Sequence, residues 1–89
     1  MYKIEYTPTF EKDLDALDKS IIKRIFTKIE WLQLHPETLR FPLKYMPQEL
    51  KNLNKYRIGD YRVLLWINHG QKVITLYGVE HRRSVYKNL

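Results

Sequence analysis

The spacing of the apolar residues changes once along this chain, and that change sets what the chain can fold into. Phe10, Leu14 and Leu17 recur at helical spacing, and so do Ile21, Ile22, Ile25, Ile29 and Leu32, flanked by Phe26 and Trp31. From about Leu53 the period becomes two, the signature of strands with one buried face. Asp18-Lys19-Ser20 divides the helical stretch into two helices, and Pro36 stops the second near Leu34-His35. A helical hairpin must bury its stripe against another layer, and the strands supply one.

The first residues add a short strand, because Tyr2, Ile4 and Tyr6 alternate with Lys3 and Glu5. Thr7-Pro8 then starts the first helix, with Thr7 as cap and Pro8 in the first turn. Asp13, Asp15 and Asp18 fall off the apolar stripe and are expected to be solvated. Residues 36–50 carry Pro36, Pro42 and Pro47 without a period, yet they include Leu39, Phe41, Leu43, Tyr45, Met46 and Leu50, so they read as a packed loop. LNKYRI, YRVLLWI and KVITLYGVE read as three strands, joined by turns at Gly59-Asp60 and His69-Gly70. HRRSVYKNL is a last short helix or an extended cap. The expected fold class is α/β (α+β): an N-terminal strand, a helical hairpin, then a three-stranded antiparallel meander. The hairpin covers one face of the sheet, and the other is left partly open. Residues 1–89 are expected to form one domain.

Charge follows the same division. Residues 1–50 hold eight Lys/Arg and eight Asp/Glu, whereas residues 51–89 hold eight Lys/Arg against Asp60 and Glu80. The whole formal charge of +6 therefore lies on the sheet-forming part. A basic sheet bearing aromatics is suited to an acidic partner, above all a phosphodiester backbone.

Several classes of function are excluded or disfavoured. The chain has no cysteine, which rules out disulfides and thiol chemistry and fits a reducing cytoplasm. Three scattered histidines have no zinc spacing, and three isolated glycines make no phosphate loop. No metal or cofactor is expected. Ser20 and Ser84 lack the context of a nucleophile elbow. No apolar run is long enough to span a membrane, and MYKIEYTP lacks the features of a signal peptide.

Strand parity assembles the basic residues. Arg62 shares parity with Leu64 and Trp66, opposite the better core set of Tyr61, Val63, Leu65 and Ile67. Lys55 and Arg57 share a face of the preceding strand, and pairing through Gly59-Asp60 brings Arg57 close to Arg62. Either an anion completes this set, or the residues form a solvated face with ion pairs to the acidic first helix. His81, Arg82 and Arg83 follow the last strand, with Tyr86 one helical turn beyond Arg82. Histidine can move a proton, arginine matches phosphate, and tyrosine can stack on a base. That set suits RNA cleavage by attack of a 2′-hydroxyl. A histidine at a strand end also serves as a structural hydrogen bonder, and Tyr86 can equally pin the tail. His35 and His69 are assigned no chemistry.

KYRIGDYRVLLWI followed by VEHRRSVYKNL resembles the RelE/ParE toxin superfamily of toxin–antitoxin modules, and is closer to its RelE-type branch. The hairpin around LDALDKSIIKRIFTKIEWLQLHP and the PLKYMP loop are similar to the same family, so the resemblance covers nearly the whole chain. It implies a fold of microbial-ribonuclease type. RelE-type members cleave mRNA in the ribosomal A site and so inhibit translation; ParE-type members inhibit DNA gyrase. Both are neutralised by a cognate antitoxin, and the complexes commonly bind operator DNA. By resemblance, Lys55 matches a catalytic lysine, Arg62 the phosphate-binding arginine, Arg82 the C-terminal arginine and Tyr86 the base-stacking tyrosine. His81 is the candidate acid or base. Lys51, Arg57, Arg83 and Lys87 would extend RNA binding. In one departure, Leu53 stands where the RelE pattern has a second lysine. The implied function is a ribosome-dependent mRNA endonuclease in the cytoplasm. The alternatives are a gyrase inhibitor and a non-catalytic basic module that binds RNA or protein.

Overall fold

A computed structural model describes residues 1–39 and 42–81. The order is β1 (Lys3–Tyr6), α1 (Pro8–Asp15), α2 (Lys19–Leu34), β2 (Asn54–Ile58), β3 (Tyr61–Asn68) and β4 (Val73–His81). Two 3-10 turns, Pro36–Thr38 and Gln48–Leu50, lie in the long connection between α2 and β2. Thr7 caps α1 as its sequence foretells, its hydroxyl accepting from the Phe10 N–H at 3.2 Å, and Pro8 occupies the first turn. The second helix ends at Leu34, just ahead of Pro36.

The meander is one part of a four-stranded sheet of order β1-β4-β3-β2. β2 pairs antiparallel with β3, and β3 with β4. β1 adds to the far edge, parallel to β4, with Ile4 opposite Ile74. A parallel neighbour requires a crossover, and the helical hairpin is part of the connection that returns the chain to that edge.

One face of the sheet meets the hairpin. Phe10, Ile25, Ile29 and Leu32 from the helices pack with Ile58, Val63, Leu65, Ile74 and Leu76 from the strands. Of the expected stripe on α2, Ile25, Ile29 and Leu32 are buried, whereas Ile21 and Ile22 are half-buried. Phe10 and Phe26 meet edge to face at 6.3 Å, tying α1 to α2.

Asp13 departs from expectation. It is half-buried rather than solvated, and its Oδ2 accepts from the Val79 N–H at 2.9 Å. The bond crosses from α1 to β4 because the β3–β4 ladder is irregular there. Leu65 pairs with Leu76 but Leu64 pairs with Gly78, leaving Tyr77 as an extra residue. Gly78 suits this point, since a Cβ on it would lie 3.0 Å from Asp13 Oδ2 and the carboxylate would have to give way. At the other end of the sheet Gly59 turns the chain with φ +60°, beneath the Arg24 guanidinium.

Candidate nucleic-acid interface

The face of the sheet away from the hairpin is ordered in cross-strand rows. Arg57 of β2 stands opposite Arg62 of β3, and Arg62 stands opposite Glu80 of β4. The next row is Lys55, Leu64 and Gly78. Residues directly opposite in an antiparallel pair have Cβ atoms about 4.5–5.5 Å apart, so three cationic side chains rise from one small area. Lys55 and Arg57 are exposed and Arg62 is half-buried, with its Nε shielded from solvent. Like charges placed opposite one another repel. Glu80 stands at the register position opposite Arg62, and an anion held among the three cations would offset their repulsion.

Further along the same face, Trp66 stands opposite Thr75 and meets Tyr77 edge to face at 5.2 Å. The indole Nε1–H of Trp66 donates to the Lys51 carbonyl at 3.0 Å. That bond draws the segment before β2 over the end of the face and brings the exposed Lys51 next to it. Leu53 is fully buried yet lies outside the main core cluster. It shares strand parity with Lys55 and Arg57. The Leu43 N–H donates to the Leu53 carbonyl at 2.8 Å, and the Leu53 N–H to the Leu50 carbonyl at 3.2 Å, which ties the connecting loop down beside it. Leu53 thus serves to anchor a loop at a place where the family pattern has a charged group.

The structure brings Lys51, Lys55, Arg57 and Arg62 to one face, but His81 is directed elsewhere. His81 stands opposite Tyr61, and the two rings meet edge to face at 4.9 Å and 85°. Both belong to the hairpin side of the sheet. There they line a cleft of about 520 Å³ with Lys12, Asp13, Ala16, Leu17 and Val79. The extra residue in β4 thus places His81, the candidate acid or base, on the face of the sheet opposite Arg62. Arg82, Arg83, Tyr86 and Lys87 lie outside the described residues.

Sequence reasoning also missed four residues. Glu80 was counted only as charge, and the register makes it the neighbour of Arg62. Trp66 and Tyr77 form an aromatic pair that no spacing rule connects, because they sit on different strands. In sequence Tyr56 is one more residue of the strand LNKYRI. Its hydroxyl donates to the Lys28 carbonyl at 3.3 Å, and burial raises its pKa above the ordinary 10.0.

Comparison with known proteins agrees with this architecture. The family described as ParE toxin of type II toxin–antitoxin system, parDE, matches residues 4–86. The toxin–antitoxin complex RelBE2 from Mycobacterium tuberculosis is 27% identical with a TM-score of 0.75, over 91% of this chain and 98% of that chain. The RelB–RelE antitoxin–toxin complex from Methanococcus jannaschii is 28% identical with a TM-score of 0.63, over 96% and 98% of the two chains. The isolated E. coli RelE toxin shares the fold at 16% identity, with a TM-score of 0.70 over 100% of both chains. No curated protein matches the sequence.

Proposed function

The chain belongs to the family of ParE toxins of type II toxin–antitoxin systems, and from that premise we propose that it is a ribosome-dependent mRNA endonuclease of RelE type. The observation that carries the reading is the row of Arg57 and Arg62 with Lys55 beside it on the open face. Arg62 would bind the scissile phosphate and offset the charge that grows on it as the 2′-hydroxyl attacks. Its half-burial makes it the best-fixed of the three cations. Lys55 is the candidate for moving the 2′-hydroxyl proton. Arg57 and Lys51 would hold the flanking backbone. The resemblance assigns Arg82 to the leaving oxygen and Tyr86 to a base. A cognate antitoxin carrying an acidic amphipathic segment would neutralise the basic face, and the complex would bind operator DNA. Two of the similar structures are themselves toxin–antitoxin complexes.

The test is cleavage of mRNA on programmed ribosomes by wild type and Arg62→Ala. Losing one charge-stabilising group commonly costs about 10²–10³ in rate, so the variant should be nearly inactive while its far-UV dichroism is unchanged. Undiminished cleavage by Arg62→Ala would remove Arg62 from the site.

A second reading, inhibition of DNA gyrase, is favoured by two observations. The matched family carries the ParE name, and the only histidine expected to do chemistry faces away from the cations. Supercoiling assays decide between the two. Gyrase blocked by the purified toxin, with mRNA left intact on ribosomes, would replace the nuclease reading.

A further inference from the structure

Away from the open face, a cleft of about 390 Å³ lies between α2 and the edge strand β2. It is lined by Thr27, Lys28, Trp31, Tyr56 and Arg57. Its charged lining is Lys28 and Arg57, with no carboxylate lining it among the described residues. Trp31 keeps 45% of its surface exposed. Its ring is not loose. The His35 imidazole stacks on it at 4.2 Å and 17°, and His35 Nδ1 lies 3.0 Å from the Trp31 carbonyl oxygen, so the helix end itself holds the stack. The Tyr56 hydroxyl bonded to the Lys28 carbonyl spans the floor and keeps α2 against β2. The result is a flat, backed aromatic ring beside two cations.

We infer that this cleft is a second RNA-binding site, which takes one nucleotide of a single strand with its base against Trp31 and a phosphate between Lys28 and Arg57. Its volume falls within the range of about 300–1,000 Å³ usual for small-ligand pockets. An aromatic platform next to cations is how single strands are held without reading sequence. Arg57 links the cleft to the open face, because it lines the cleft and also stands opposite Arg62. A strand leaving the Arg62 region over the β2 edge would meet Arg57 first and Trp31 next. An acidic peptide would also be drawn by Lys28 and Arg57, but it has no use for a stacked indole. The inference rests on the RNA-directed reading of the open face and extends it to a neighbouring nucleotide.

The probe is fluorescein-labelled hexaadenylate, titrated by anisotropy against the full-length toxin freed from its antitoxin. The series is done both in wild type and in Arg62→Ala, which disables the proposed cleavage site. Trp31→Ala should bind about thirtyfold more weakly, the middle of the range for one stacked base, and Trp31→Phe should recover most of that loss. Lys28→Ala should lower the slope of log affinity against log salt by about 0.7, as for one single-strand phosphate contact. Equal binding by wild type and Trp31→Ala overturns the inference. So does a hexaglutamate competitor that displaces the RNA from wild type and Trp31→Ala alike at the same concentration, which would mark the cleft as a site for acidic protein. The outcomes separate from those of the nuclease assay. Binding that depends on Trp31 in a toxin that never cleaves mRNA refutes only the nuclease reading. Cleavage by a toxin whose RNA binding ignores Trp31 refutes only the second site.

Discussion

Replacing Leu53 by lysine restores the residue that the RelE pattern has at this place, and the structure says that the restoration should fail. Leu53 is 0% exposed and both of its backbone polar groups are bonded into the loop before β2. Burial of a leucine side chain is worth about 1.5–3 kcal/mol, and truncating one in a packed site costs about 2–5 kcal/mol. A lysine would retain much of the apolar contact only if its ammonium group could reach water. The loop tied across Leu53 blocks that route, so the loop must lift or a charge must be buried. A domain of this size has about 5–10 kcal/mol of stability in all, so a loss near 3 kcal/mol is a large share. For a 60–100-residue domain each kcal/mol shifts the melting temperature by roughly 4–8 °C. Leu53→Ala and Leu53→Lys should therefore both melt about 10–20 °C below wild type in a dichroism scan, and Leu53→Lys should cleave mRNA no faster. A Leu53→Lys toxin that melts within about 3 °C of wild type and gains activity would refute the argument. Leu53 would then be an accessible site position from which a lysine is merely missing.

Three further predictions follow from the register and the packing. Gly78→Ala should destabilise the fold by about 1–3 kcal/mol in urea unfolding, because its Cβ would press to 3.0 Å from Asp13 Oδ2 and push α1 off β4; an unchanged midpoint would mean that α1 yields freely. Tyr56 has a raised pKa in the folded state through desolvation, so the unfolded chain loses its proton first as pH rises through the ordinary 10.0. Stability is then fully present below that pH and declines above it, and Tyr56→Phe should show a shallower alkaline decline of melting temperature than wild type. His81→Phe should keep the edge contact with Tyr61 and retain most activity, whereas His81→Ala should lose more; equal loss in both would return a proton-transfer role to His81.

Much of the fold is legible in the sequence because it rests on local rules. Thr7-Pro8 caps a helix, Pro36 ends one, and Gly59-Asp60 turns a hairpin whose register follows from the turn itself. The opposition of Arg57 and Arg62 follows from that hairpin alone. What could not be read is whatever depends on contacts between distant segments. The parallel docking of β1 on β4 joins residues about 70 positions apart, as with Ile4 and Ile74. Asp13 looked like a surface residue because helical spacing says only that it is off the stripe. Its partner, the Val79 N–H, is made available by a ladder irregularity that no helical rule contains. The cleft at Trp31 was equally hidden, since it takes a helix and an edge strand to make it.

The position of His81 has the most specific cause. Counting alternation forward from the buried Ile74 and Leu76 puts Gly78 and Glu80 on the hairpin side, and Tyr77, Val79 and His81 on the open side. The extra residue at Tyr77 reverses the count from Gly78 onward. Val79 then stands opposite the buried Val63, Glu80 opposite Arg62 and His81 opposite Tyr61. One inserted residue therefore puts Glu80, and not His81, at the register position opposite Arg62. Bulges of this kind gather next to functional sites because they re-aim side chains without disturbing the rest of the sheet. Here Gly78 allows it, since a Cβ at that position would crowd Asp13, and Asp13 takes up the Val79 N–H beside the irregularity. The chemistry of the open face is thus set from behind, by a helix residue on the other side of the sheet. Asp13→Ala, by freeing that N–H, should loosen the end of β4 and impair Arg62 function without touching any residue of the cationic row.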